Sequence, residues 1–248
     1  PRSTLFPYTT LFRSPISRLE LSKMIDHSLL KPTLTREDTI KGLEVAIEEQ
    51  VASATIKPCY TALAADILKG TGVMVNPVIC FPLGYDTTET KVFETKQTID
   101  QGAEEIDMVL NLGALFSGDY QFVQDDIAAV VAAAQGLTVK VILETGYYKD
   151  MDLIVKACQL IEAAGGDFVK TSSGFASSPY KNEFGETVGY TNDILRLMRA
   201  SVSDKVQVKA AQGVRRLKDA LEVIEIGATR FGVSRTTELM KEYDETYG

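Results

Sequence analysis

VKVILETGYYKDMDLIVKACQLIEAAGGDFVKTSSG, residues 139–174, holds one complete repeat of the chain's architecture. Its ends, VKVILET and DFVKTSSG, are short apolar runs of strand length. Between them Leu153, Ile154, Ala157, Leu160 and Ile161 recur at helical spacing within residues 150–165, and Gly165-Gly166 supplies the stop. The stretch therefore predicts strand, helix, strand: a parallel βαβ unit.

The unit recurs in both directions. Upstream lie MIDHSLL from Met24, SATIKP from Ser53, NPVICFP from Asn76 and EIDMVLN from Glu105; downstream lie KVQVKAA from Lys205 and RFGVS from Arg230. The segments between read as helices. Residues 37–50 place Ile40, Leu43, Val45, Ala46 and Ile47 in phase, and residues 88–102 and 217–227 each close on glycine. Eight near-continuous apolar strands alternating with helices predict an α/β fold, a single (β/α)8 TIM barrel covered by helices outside. A doubly wound open sheet competes, but the first strand is followed by LKPTLT and not by a glycine-rich turn. With no linker or low-complexity stretch, residues 15–248 read as one domain. Residues 1–14, PRSTLFPYTTLFRS, have neither a structural period nor the parts of a signal peptide. They resemble a translated sequencing adapter and are expected to be a non-native or disordered leader.

Composition excludes several functions. At 45% hydrophobic residues among 248, the chain is too apolar for disorder. Its longest clean apolar run, Ile127 to Ala134, is far short of the ~20 residues of a membrane helix. A net charge of −8 without a basic run argues against nucleic acid. Cys59, Cys80 and Cys158 form no C-x-x-C pair, which points to a reducing, cytoplasmic setting and no zinc site. A single histidine, His27, excludes a His-rich metal centre and is read as structural.

In such barrels the reacting groups sit at the C-terminal strand ends. Lys170, late in DFVKTSSG, either presents its amine to the barrel mouth, where desolvation makes it a nucleophile toward carbonyls, or snorkels on the helix side. Lys209 occupies the equivalent place one strand later, and two adjacent ammonium groups ease each other's deprotonation. Asp107, inside EIDMVLN, is either a proton relay or an ion-pair partner of these lysines. Asp26 has the same two readings and is taken as supporting. A phosphate site is expected where small residues follow the last strands: Ser172 and Gly174, Gln212 and Gly213, then Gly232, Ser234 and Arg235.

At these residues the sequence resembles the deoxyribose-phosphate aldolases, a class I aldolase family. The anchors are IDHSLLKPT, FPLGYDTTETKVFE, GAEEIDMVLNLG, VKVILETG, GGDFVKTSSGF, VKAAQGVRR and GATRFGVSR, in order, over nearly all of residues 16–241. The resemblance implies a (β/α)8 barrel without metal or organic cofactor. It implies reversible cleavage of 2-deoxy-D-ribose 5-phosphate to acetaldehyde and D-glyceraldehyde 3-phosphate. The family's Schiff-base lysine falls on Lys170, its second lysine on Lys209, its proton-relay aspartate on Asp107 and its phosphate loops on Gly174, Gly213, Gly232 and Ser234. Departures stand at Gln212 for the usual Gly, Thr55 for a frequent Cys, and Cys80 and Leu83 for a frequent Gly and His. Thr55 is counted as supporting, and Gln212 can still donate its backbone N–H to phosphate provided that its φ stays negative. Another Schiff-base lyase on a related phosphosugar or aldehyde, or a non-catalytic sugar-phosphate-binding barrel, are the alternatives. A homodimer is compatible with the family. Residues 177–190 are expected to be a surface loop, and Tyr247 to lie in a frayed tail.

Overall fold

The computed structural model describes residues 16–248, so the leader expected at residues 1–14 lies outside the described residues. Eight parallel strands close into a barrel in chain order: β1 (Ile25–Leu29), β2 (Ser53–Ile56), β3 (Met74–Ile79), β4 (Glu105–Val109), β5 (Thr138–Ile142), β6 (Phe168–Lys170), β7 (Gln207–Ala210) and β8 (Arg230–Val233). The helices are α1 (Arg18–Ser22), α2 (Arg36–Glu48), α3 (Thr61–Leu68), α4 (Thr88–Asp100), α5 (Leu112–Phe116), α6 (Tyr120–Ala133), α7 (Met151–Ala163), α8 (Asn192–Ala200), α9 (Leu217–Ile226) and α10 (Thr236–Tyr247). All eight predicted strands are present, and the four predicted helices appear as α2, α4, α7 and α9.

Local signals explain the boundaries. Thr35 opens α2 by accepting the Asp38 N–H while the Asp38 carboxylate accepts from the Thr35 N–H, a reciprocal cap. At the far ends Gly102, Gly165 and Gly227 take φ of 101°, 85° and 112°, the left-handed turn that ends a helix at little cost only for glycine.

The strands are not apolar on both faces. Ile106 and Met108, Val139 and Val141, and Val208 and Ala210 pack outward under the helices. The alternate positions, Asp107, Lys140 and Lys209, share an ionic network that crosses the barrel. The outward face also holds His27, whose Nδ1 lies 2.7 Å from Thr236 Oγ1 of α10. Burial lowers its pKa to about 4, so it is neutral at pH 7. This is the structural histidine expected. Outside the barrel, Lys91 of α4 and Asp126 of α6 form a fully buried pair at 2.6 Å.

Candidate active site

The parallel register sets the site. Ile142 pairs with Lys170, Lys170 with Lys209, and Lys209 with Arg230. Lys170 and Lys209 therefore stand side by side at the C-terminal ends of β6 and β7, both buried. From across the barrel Asp107 Oδ2 accepts from Lys170 Nζ at 2.6 Å and from Lys209 Nζ at 2.7 Å. Of the two readings of Asp107 the ion pair is seen directly, since the carboxylate bridges both amines.

Beneath them lies a layer of which the sequence reading named only Asp26. Lys140 Nζ donates to Glu105 Oε2 at 2.6 Å and lies 3.2 Å from Asp107 Oδ1. Arg230 reaches Glu105 Oε2 at 2.9 Å, and its Nε donates to Asp26 Oδ1 at 2.8 Å. Asp26 also accepts from Ser53 Oγ at 2.7 Å and pairs with Lys209. Thr55 lies within this net at one remove: Asn76 Nδ2 donates to Thr55 Oγ1 at 3.1 Å and to Asp107 Oδ1 at 3.0 Å.

Four cations (Lys140, Lys170, Lys209, Arg230) thus meet three carboxylates (Asp26, Glu105, Asp107) in a water-poor interior. One positive charge is in excess, and the directions of titration say where it is released. Burial lowers Lys170 to about 8; Asp107 opposes this, and the charge of Lys209 reinforces it. Burial alone would lower Lys209 as well, but Asp107 and Asp26 outweigh it and raise it. Burial would raise Asp107 and Asp26, yet the surrounding lysines, with Arg230 on Asp26, pull both below the usual carboxylate range. Lys170 is the group that yields its proton first. A buried amine titrating near 8 is a competent nucleophile toward an aldehyde at mildly alkaline pH.

Both amines line a cavity of about 290 Å³ at the C-terminal mouth. Thr55 and Ser28 border its floor, and Gly174, Gln212, Gly213, Gly232 and Ser234 line it as well. So do Lys31 and Arg215, two cations that the sequence reading passed over. Ser172 and Arg235 are not in the lining. Ser172 is buried, with Oγ 2.6 Å from Glu144 Oε1 and 2.6 Å from the Gln212 carboxamide. Arg235 is exposed and stands as N-cap of α10. That helix starts beside the cavity and runs away from it, Tyr243 donating to Ile16 O at 2.7 Å. Tyr247, expected in a frayed tail, lies in its last turn at the opposite end of the barrel.

The connection after β6 is the loop expected at residues 177–190, and it carries a small hairpin. Lys181 bridges Thr187. Arg216 Nη1 donates to Glu186 at 2.9 Å, and its guanidinium lies 4.0 Å from the Phe184 ring centroid. These contacts fasten the hairpin to the loop after β7.

Two departures from the family pattern fall on strained backbone. Cys80 has φ 47° and Gln212 φ 62°. The condition of a negative φ at Gln212 is therefore not met. Each position costs about 1–2 kcal/mol relative to a glycine. Glu144, at φ 59°, is a third such residue beside the site. Its carboxylate accepts from Ser172 Oγ and from the Ser173 N–H at 3.1 Å, tying the loop after β5 to the loop after β6.

Comparison with known proteins places this geometry. The model of the DeoC/LacD family aldolases matches residues 23–236. A deoxyribose-phosphate aldolase of Staphylococcus saprophyticus is 46% identical over 231 residues, covering 92% of this chain and all of the relative. Among solved structures, an aldolase called QR15 superposes with a TM-score of 0.83 at 33% identity, covering 92% of this chain and 97% of its own. The deoxyribose phosphate aldolase of Aeropyrum pernix, described as a unique tetramer, superposes at 0.81 with 28% identity and 93% of each chain covered. No described helix is long and apolar enough to cross a membrane.

Proposed function

Because the chain belongs to the DeoC/LacD family of aldolases, we propose that it cleaves 2-deoxy-D-ribose 5-phosphate to acetaldehyde and D-glyceraldehyde 3-phosphate through a Schiff base on Lys170. The observation that carries the reading is the pairing of Lys170 with Lys209 over one carboxylate, at the floor of the mouth cavity.

Neutral Lys170 Nζ adds to the C1 aldehyde of the opened sugar. The carbinolamine loses water and leaves an iminium. As the C3 hydroxyl gives up its proton, the C2–C3 pair of electrons flows into the iminium. Sugar C3 becomes the aldehyde carbon of glyceraldehyde 3-phosphate, and an enamine remains on Lys170. Protonation at C2 and hydrolysis release acetaldehyde and restore the amine. Asp107, with an oxygen 2.6 Å from Lys170 Nζ, is the group placed to move these protons, and Lys209 keeps Lys170 from holding its own.

The phosphate belongs at the rim, between the loops after β6, β7 and β8. Gly213 and Val214 lie next to the cavity, and their N–H groups meet no protein acceptor among the described residues. The first N–H groups of α10 add the positive end of a helix. Lys31 and Arg215 supply formal charge. Ser172 acts here by holding its neighbours, and Arg235 acts through its backbone position. The residues need no metal for this chemistry, since the iminium is itself the electron sink.

The reading extends to a cytoplasmic homodimer. Three free cysteines suit a reducing compartment, and self-association is described for the Aeropyrum pernix relative. Sedimentation tests the dimer. For the activity, kcat/KM with 2-deoxyribose 5-phosphate should exceed that with unphosphorylated 2-deoxyribose by orders of magnitude. Equal values would turn the reading toward another Schiff-base lyase. The Lys170→Leu protein should be inactive on both.

A further inference from the structure

Gln212 poses a question that the aldolase reading does not answer. It stands at φ 62°, where a residue with a β-carbon is strained and glycine is not. It is also the hinge of the loop that carries Gly213 and Val214 to the cavity rim. Something must hold it there.

The hydrogen-bond capacity of Ser172 identifies the holder. Its hydroxyl has one hydrogen and two lone pairs. Three groups lie in range: Glu144 Oε1 at 2.6 Å, the Gln212 carboxamide at 2.6 Å and the Gly174 N–H at 3.2 Å. The carboxylate accepts the hydrogen, because charged acceptors bind it most strongly. The Gly174 N–H takes one lone pair. In the structure Gln212 Oε1 faces Ser172 and Nε2 donates to Ala176 O at 3.5 Å; turning the amide over gives up that long bond and matches the other lone pair, and amide orientation is fixed by such networks. The result is a chain from Gln212 Nε2–H to Ser172 Oγ and from Ser172 O–H to Glu144, with Gln212 Oε1 left toward the Ala176 carbonyl. It joins the loops after β5, β6 and β7. A second stitch lies on the other side of Gln212, where its carbonyl accepts from the Gly189 N–H at 2.5 Å and the Gly189 carbonyl accepts from Thr145 Oγ1 at 2.5 Å.

We infer that Gln212 is a positioning residue of the phosphate rim, whose carboxamide, anchored through Ser172 to Glu144, holds the loop after β7 in the left-handed conformation that glycine would adopt unaided. The side chain and the strain belong together: the tether replaces the freedom that a glycine would have. This inference rests on the proposed phosphosugar chemistry only for its kinetic readout.

The test compares Gln212→Met, which keeps the β-carbon and loses the donor, with Gln212→Gly, which loses both the donor and the strain. With 2-deoxyribose 5-phosphate, Gln212→Met should raise KM about tenfold, the size expected for releasing one strained residue. Gln212→Gly should stay within about twofold of the parent. Gln212→Met should lower kcat/KM for unphosphorylated 2-deoxyribose by much less than for the phosphorylated sugar, a split that a general loss of structure would not produce. A Gln212→Met protein with parental KM would overturn the tether. A Gln212→Gly protein as impaired as Gln212→Met would mean that the carboxamide touches the substrate itself. If the parent showed no preference for the phosphorylated sugar, the functional reading would fail while the tether stayed testable. Hydrogen exchange at the Gly189 amide should then quicken in Gln212→Met and not in Gln212→Gly, and unchanged exchange in both would overturn the inference.

Discussion

Replacing Lys209 with Met removes one positive charge from beside Lys170 and keeps most of the side-chain volume. The two amines share Asp107 Oδ2 at 2.6 and 2.7 Å, so they are no more than 5.3 Å apart. At an effective dielectric constant of about 20, two unit charges at that distance repel by about 3 kcal/mol. That is about two pKa units. Lys170, which titrates at about 8 in the parent, should move to about 10. Asp107, freed of its second lysine, pushes in the same direction. At pH 7 the neutral fraction of Lys170 should fall roughly a hundredfold, from about a tenth to about a thousandth. The assay is the rate of irreversible labelling by acetaldehyde and cyanoborohydride as a function of pH, on protein with cooperative thermal unfolding. The midpoint should shift upward by about two units. A midpoint still near 8 would refute the like-charge argument and leave burial as the sole cause.

Three further outcomes are expected. In the parent enzyme kcat/KM should rise with pH through about 8 and then level, because the reactive form of Lys170 is the neutral one; a flat profile from pH 6 to 9 would contradict the assignment. Asp126→Ala leaves the fully buried Lys91 ammonium of α4 unpaired, so denaturant unfolding should show a loss of about 3–5 kcal/mol, and a loss below 1 kcal/mol would contradict the buried pairing. His27 is held neutral, its pKa about 4 against an unfolded value near 6.5. The unfolded chain binds more protons between these values, so stability should fall as pH drops from about 6.5 to 4. His27→Gln should flatten that slope, and an unchanged slope would exonerate the histidine.

The barrel was legible because each strand carries apolar residues on its outer face and each helix stops at a glycine or a polar turn. Those signals are local. Lys170, Lys209 and Asp107 were legible for the opposite reason: a charge inside an apolar run conflicts with its neighbours. Lys140, Glu105 and Arg230 carry the same conflict, but their roles depend on which strands face each other across the closed barrel. Arg230 meets Glu105 from β8 to β4, a contact 125 residues apart in sequence that no periodicity announces. Gln212 and Cys80 were visible as departures, whereas their left-handed φ is a property of the folded loops. Glu144 left no signal, since an ordinary-looking ETG turn hides both its strained backbone and its grip on Ser172 and Ser173.

Trapping the covalent intermediate tests the central claim most directly. The enzyme is incubated with acetaldehyde, reduced with borohydride, digested and mapped by mass spectrometry. The account predicts a single N-ethyl group on the lysine of the peptide containing DFVKTSSG, Lys170, and none in the Lys170→Leu protein. An adduct on Lys209 or Lys140, or full turnover with no adduct, would contradict it.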